Sequence, residues 1–597
     1  MAAEDRTMER RSSQILVERA NVEAMSRRRF LWRLAVVGGL IGGGTGLLAA
    51  CAPQAPTAAK PEAGAAKPDA GAAKPDAGAQ KPAAAPPATS APAPAAAKPT
   101  TAPAQSAPAA GKPAASGSVL LVVQDEPRTL ANWHSYATTG YVVLRNTQEA
   151  LLNRDPKTNQ LVGELATKWE LANPTTWRFT LRQGVKYHDG SPFNAESAAF
   201  GINYTWDKTN AFEIRAFIGP EINAKPVDDY TLDVATAAPD PILPARLYFS
   251  PIPSMKLLKE TPDQYGSNPV GTGPYRFVEW VKGQHLKLEV NPDWWGHAAK
   301  DAGGAATIKD VTIVARKEQH VRGAMLKSGE ADLSRWLNAE QCGEMSCVHA
   351  PGVETVFVRL DTTHPSLQDL RVRQAIGLSL DKESMIKSLI GGGTVARQLV
   401  GPSALGYNPN LEPVPYDPER AKQLVAEAKA AGVPVDAPLT IYARTDLVPR
   451  STEVCEAALA MMQAVGLTNT KVKMLDQVTY QDLAVLKPVP PDRGMVAIHM
   501  HGNELMDYAA TVSSYYASSG KNSTMDDPEL DQMHEKALPL TGAEREKAYQ
   551  AIAVRAAQNA NIFPIGHPDF YFGLNKRLKW EARLDGFILL KEMSLTS

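Results

Sequence analysis

Apolar and polar positions change their period several times along this chain. Val119-Leu120-Leu121-Val122-Val123 is an unbroken apolar run, which predicts a buried strand. Trp177 to Arg182 alternates and then meets Gln183-Gly184, which predicts a second strand ending in a turn. Tyr187 to Pro192 is a turn cluster, and Glu196 to Tyr204 follows with helical spacing. The pattern is clearest between residues 417 and 507. Asp417-Pro418 supplies an N-cap and a first-turn proline, and Gly432 closes that helix. Leu439 to Ala443 reads as a strand. Ser451 is expected to cap a helix with Val454, Ala458, Leu459, Met462 and Val465 on one face, stopped by Gly466. Lys471 to Leu475 alternates as a strand, Thr479 to Leu486 is helical, and Met495 to Ile498 is a further strand.

Strand, helix, strand, helix, strand implies a parallel sheet, because parallel neighbours need a crossover connection. Ligands on such sheets bind beyond the carboxyl ends of the strands. The loops there run from Arg444 to Arg450 and from His499 to Tyr508. Arg450, His501, Asn503, Glu504 and Asp507 are therefore expected on one rim. Arg450 lies just before a helix N-terminus and would suit a carboxylate, or be a plain surface arginine. His499-Met500-His501 puts two imidazoles on one strand face, a soft-metal pair if a third ligand joins them. His188-Asp189 could pass for a catalytic pair, but a turn aspartate that caps its own backbone is the expected reading.

Composition adds an address and a tether. The chain has 597 residues with 63 basic and 64 acidic side chains, a formal charge of -1. Residues 1–50 carry net +3, and so do residues 52–117, leaving -7 on the rest. That mildly acidic body argues against nucleic acid, whose phosphates need a basic face. It is also too long for one core, so at least two lobes are expected. Ser26-Arg27-Arg28-Arg29-Phe30-Leu31 precedes an uncharged stretch, Leu34 to Ala50, with six glycines. A positive segment, an apolar segment and small residues before a cut define an export signal. Met25 is an alternative start. Residues 52–117 hold 28 Ala and 14 Pro and no Leu, Ile, Val, Met or aromatic residue. Nothing there can form a core, so a semi-extended tether is expected, at most about 200 Å long. Beyond Cys51 no apolar run reaches the roughly 20 residues of a membrane helix. Cys342 and Cys347 lie five apart. Export makes a disulfide between them an expectation, with buried thiols as the alternative.

Five stretches carry resemblances, and three of them identify a family. The pair Arg27-Arg28 before Phe-Leu resembles a twin-arginine signal, and Leu48-Ala49-Ala50-Cys51 resembles a bacterial lipobox, which implies an acylated Cys51 as the mature N-terminus. Thr176 to Phe193, Asn268 to Phe277 with Asn291 to Gly296, and Asp369 to Ile376 with Leu380-Asp381 resemble, in order, the family-5 solute-binding proteins of ABC importers. The resemblance implies an α/β fold of two lobes, of the periplasmic-binding-protein type (type II, class C-like), closing over a ligand in the cleft between them. It implies a signal in 1–50, a lipidated cysteine and disordered tether in 51–117, a first lobe in 118–357, a second in 358–562, and a return to the first in 563–597. It further implies a small-molecule or peptide ligand, ABC permease subunits as partners, a lipid anchor at the outer face of the cytoplasmic membrane or in the periplasm, a monomer, no cofactor and no catalysis. In peptide-binding members an Asp after the last second-lobe strand meets the ligand's amino terminus. Asp507 is the matching position here, and Tyr508 beside it, itself a candidate ligand contact, stands where the family more often has Pro. The alternative for Asp507 is a loop acid or helix cap. Across the cleft, Trp133 and Tyr136 offer flat walls for a peptide. Gly271, Gly273 and Pro274 suit a tight turn, and Trp294 and Trp295 suit packing.

Two other classes compete. A metal or metal-chelate binder, of the nickel type, could use His499 and His501 on the same fold. An exported hydrolase would need a nucleophile elbow, a zinc helix or a phosphate loop; none is present, and His534-Glu535 lacks the second histidine of a zinc helix.

Overall fold

The structure, a computed structural model, describes residues 115–131, 138–207, 219, 221–335, 337–445, 447–448 and 450–596. The export signal, Cys51, the tether up to residue 114, Trp133 and Tyr136 lie outside the described residues, and Ser116-Gly117, expected at the end of the tether, belong to the first strand.

The predicted apolar run becomes the strand Ser116–Val123 in the middle of a seven-stranded sheet. It runs parallel to Ile308–Ala315 on one side and to Leu333–Arg335 on the other. A second, all-antiparallel sheet holds the alternating strand Thr176–Leu181 between Ala166–Asn173 and Thr231–Thr236. The helix Ala195–Trp206 packs with it, capped by Asn194. These two sheets and their cores form the first lobe.

The second lobe is built on a six-stranded mixed sheet. Leu439–Arg444 is parallel to both Thr470–Leu475 and Met495–Gly502, as the strand–helix alternation requires. Met495–Gly502 is in turn antiparallel to Glu354–Leu360, which pairs with Ile562–His567. Asp417 caps the helix Pro418–Ala430, and Gly432 and Gly466 adopt positive φ (83° and 104°) where the helices end.

The crossovers between lobes differ from the expected boundaries. Cys347–Pro351 and Asp569–Leu574 pair in the first-lobe sheet, while Glu354–Leu360 and Ile562–His567 lie whole in the second. The chain therefore changes lobe at Gly352-Val353 and at Pro568, a few residues away from 357/358 and 562/563. A strand's ladder decides its lobe, and apolar runs alone do not mark where a ladder starts. The two crossovers touch: the Gly352 amide donates to the Pro568 carbonyl at 3.0 Å. A Cβ at Gly352 would stand 2.4 Å from that oxygen, so only glycine fits.

The glycines expected to make a tight turn act differently. Gly271 and Gly273 are absent from the positive-φ positions, and a Cβ on Gly271 would lie 2.3 Å from the Thr147 carbonyl oxygen. They are there for close approach to the end of the helix Thr138–Thr147. The same segment delivers Thr272 to the buried Glu149, whose carboxyl accepts from Thr272 Oγ1 (2.8 Å), Trp294 Nε1 (3.0 Å) and Trp295 Nε1 (2.7 Å). The tryptophan pair is thus a pair of hydrogen-bond donors as well as packing. Asp369 caps the helix Leu370–Ser379, and Arg373 donates to the carbonyls of Leu367 and Gln368. Asp189 accepts from the Ser191 amide in its own turn, and the neighbouring His188 ring is held by the Gly273 carbonyl at 2.9 Å.

Cys342 and Cys347 are joined by a disulfide. No helix of the described residues is long and apolar enough to cross a membrane.

Candidate functional site

The strand Met495–Gly502 ends at the lobe boundary, and the loop that follows it makes the site. Asn503 donates its amide to the Val353 carbonyl at 3.1 Å, which ties the loop to the first crossover. Leu505, 6% exposed, is packed into the apolar core of the first lobe, although the chain around it belongs to the second. Arg154 of the first lobe, itself buried, donates from Nη2 to the carbonyls of Leu505 (3.2 Å) and Glu504 (3.4 Å). The loop is therefore a bridge between lobes.

Beside it lies a cavity of about 580 Å³. Its first-lobe wall is the Pro239–Ile242 turn with Arg246; its second-lobe wall includes His501, Asn503, Glu504 and Lys521. The walls come from both lobes, and the floor is the carboxyl end of a parallel-sheet strand, where α/β sheets place ligands. A second cavity, about 630 Å³, flanks it and shares Ile242, Leu505 and Arg545.

Asp507 was expected to meet a ligand amine, with a loop acid or helix cap as the alternative, and it lines the second cavity. In the structure it is 3% exposed, and Arg545 holds both oxygens, Nε to Oδ2 at 2.8 Å and Nη2 to Oδ1 at 3.0 Å. Oδ1 also accepts from the Ala509 amide at 2.8 Å, capping the short helix Tyr508–Thr511. Arg545 spends its remaining nitrogen on the carbonyls of Ala537, Leu538 and Leu540. Arg545 sits 38 residues downstream in the helix Gly542–Asn559, and no local pattern connects the two.

Tyr508 is corrected by its surroundings. It is 1% exposed and packs with Tyr516 and Tyr549 in a second-lobe core, lining neither cavity. Arg450 is not brought to the site. It bonds Glu453 at 3.2 Å and the Ser388 carbonyl at 3.0 Å, because its loop folds back on the segment Met385–Ile390. His501 and Asn503 do line the cavity.

The two histidines share one face as the strand period dictates, but each already has a partner: His499 Nε2 meets the Tyr515 hydroxyl at 3.0 Å, and His501 Nε2 meets Thr511 Oγ1 at 2.9 Å. Burial lowers both; His501 is brought to about 4, so it is neutral at physiological pH. Among the described residues no group of three or more His, Cys, Asp or Glu side chains is placed to hold a metal ion.

Sequence reasoning missed Arg154, Asp240, Arg246, Lys521 and Arg545. The Pro239-Asp240-Pro241 run is a turn signal, but nothing in it says which lobe it faces.

Comparison with known proteins decides the family. Residues 160–496, more than half of the chain, match the family described as bacterial extracellular solute-binding proteins, family 5 middle. The chain belongs to family 5 of the bacterial extracellular solute-binding proteins. Heme-binding protein A of Haemophilus influenzae is 25% identical over 454 residues, 70% of this chain and 80% of that protein. The glutathione-binding protein of Pectobacterium atrosepticum is 26% identical over 285 residues; the match covers 46% of this chain and about half (54%) of that relative. A substrate-binding protein of an ABC transporter from Listeria monocytogenes has the same fold, with a TM-score of 0.71 at 20% identity over 81% of this chain and 100% of its own. A periplasmic binding protein from Helicobacter pylori, solved with a peptide, superposes with a TM-score of 0.65 at 21% identity over 80% of this chain and 98% of its own. The two-lobe architecture of this family-5 protein is thus the fold of periplasmic binding proteins, a family of substrate binders rather than enzymes.

Proposed function

We propose that this protein captures a peptide-like solute in the cavity between its lobes, outside the cytoplasm, and hands it to the permease of an ABC importer. The observation that carries the reading is the cavity itself, walled by the 239–246 segment of one lobe and the loop after Met495–Gly502 of the other. Relatives named for dipeptides and for glutathione support a peptide-like ligand. His501 and Asn503 are the proposed contacts from the earlier rim, with Asp507 behind them. Trp133 and Tyr136 remain proposed walls from the first lobe. Acylation of Cys51 would hold the lobes at the membrane through the Ala/Pro-rich tether. The metal-chelate reading has the neighbouring nickel–histidine complex of a Campylobacter jejuni protein in its favour. Against it stand the engaged Nε2 atoms of both histidines.

Native mass spectrometry of the purified protein tests the proposal. The expected result is a co-purifying mass of peptide size that is lost on denaturation. Protein that emerges without ligand, and that a pool of di- and tripeptides does not shift in thermal unfolding, would end the peptide reading.

A further inference from the structure

The chain passes from one cavity to the other at Leu505. Asn503 and Glu504 line the first cavity, Met506 and Asp507 line the second, and Leu505 between them lines both. Among the described residues Pro241, Ile242 and Arg545 also line both. Leu505 and Ile242 are buried in the same apolar core, although they come from different lobes. The local backbone puts Leu505 there. The Met506 amide donates to the Asn503 carbonyl at 3.0 Å and closes a turn, and Met506 has a φ of 58°, a left-handed conformation uncommon outside glycine. Such a conformation persists where its surroundings over-determine it. Here the surroundings are the Leu505 side chain in the first-lobe core and Arg154, which holds the Leu505 carbonyl from that lobe.

The boundary between the cavities offers a ligand nothing to bond. Arg545 is committed to Asp507 and to three carbonyls. Leu505 and Ile242 have no polar side-chain atom, so a peptide backbone passing between them would leave its own groups unsatisfied. The first cavity, about 580 Å³, equals a sphere about 10 Å across, the reach of roughly three extended residues. The second, about 630 Å³, would more than double that space. It also has a wall of its own in the indoles of Trp169 and Trp177, the latter fixed by its Nε1 bond to the Asp240 carbonyl at 3.1 Å.

We propose that Leu505, with Ile242, is a partition that sets ligand length: it closes the first cavity off from the second and restricts the protein to solutes about two or three residues long. With the partition removed, a longer chain runs on into the second cavity and meets the two indoles. The inference rests on the first cavity being the solute site.

The test offers the full chain an equimolar mixture of random-sequence di-, tri- and pentapeptides and reads by native mass spectrometry which lengths are retained. The parent is expected to favour di- and tripeptides over pentapeptides by about tenfold or more, the worth of one side chain that finds no place to be buried. Leu505→Ala should narrow that preference to within about threefold, and Ile242→Ala, which opens the partition from the other lobe, should do the same. Pentapeptides with Phe at one end should gain most, because the indole wall receives an aromatic ring. Leu232→Ala, buried in the same core but lining neither cavity, controls for loosening: it should keep the parent's length preference. A parent that retains pentapeptides as well as tripeptides would overturn the proposal. So would folded Leu505 and Ile242 variants with the parent's preference, or the same change in Leu232→Ala. Each of these leaves the peptide-binding function standing, whereas retention of no peptide by any of the proteins would remove both.

Discussion

At Asp507 the side chain's meaning is set by one neighbour. A carboxylate at the end of a parallel-sheet strand is suited to a ligand's amine, but Arg545 reaches it first with two bonds, 2.8 and 3.0 Å, at a site where both residues are nearly inaccessible. Removing one partner of such a pair strands the other charge in a medium that cannot solvate it. Asp507→Ala is therefore expected to cost about 3–5 kcal/mol of stability, against the 0–1 kcal/mol of an exposed acid. Urea unfolding measures it. A loss below 1 kcal/mol would mean that the Arg545 pair opens in solution, which would free the carboxylate for a ligand amine. Asn503, four residues earlier, shows the reverse: its Nδ2 has no hydrogen-bond partner in the chain.

At the scale of elements, the two parts of one signature, Asn268 to Phe277 and Asn291 to Gly296, meet around one buried acid. The end of the helix Thr138–Thr147, the segment at Thr272 and the Trp294-Trp295 pair converge on Glu149, which burial pushes up to about 7, helped by the nearby charge of Glu164. A carboxyl raised from its ordinary 4.5 keeps its proton in the folded state where the unfolded chain has lost it. Its contribution is fully present below 4.5 and fades as pH rises through 7. Glu149→Gln offers an NH₂ to one of three converging donors and should be less stable than the parent at every pH. The deficit should be larger at pH 5 than at pH 8, because the parent loses its advantage as Glu149 ionises. Urea midpoints of both proteins at the two pH values check the sign; a deficit that grows with pH would mean an acid already ionised in the fold.

For the whole molecule, the organisation is two lobes joined at Gly352-Val353 and Pro568, with Leu505 of one lobe seated in the core of the other. Much of this was legible. The strand–helix alternation between 417 and 507 came out in order, because amphipathic period and glycine stops are local properties. The helix expected over Thr479 to Leu486 nevertheless spans Gln477–Ala484, and Arg450, not Ser451, stands at the N-cap of Ser451–Ala464. The crossovers were displaced by a few residues, because sheet membership is a pairing between distant segments. The proposed tether adds a prediction at this scale. A single acylated cysteine on an Ala/Pro-rich segment would keep the folded lobes with the membrane fraction after cell lysis, and Cys51→Ser should release the mature protein to the soluble fraction with its ligand binding unchanged. Persistence of the variant in the membrane fraction would remove the lipid anchor from the proposal.

The sequence by itself determined the order of the elements and the parallel strands between 417 and 507, which follow from residue types at short spacing that local physics reads directly. Its resemblance to known proteins pointed to the two-lobe fold and the family. Only the tertiary structure decided which rim residues are available. Asp507 is taken by an arginine 38 residues away, Tyr508 is core, Arg450 turns to a different segment, and Asn503 keeps an amide without a partner. Whether a polar group is free depends on every other donor and acceptor that the fold brings within about 3 Å, and those come from chain segments whose nearness no local pattern records.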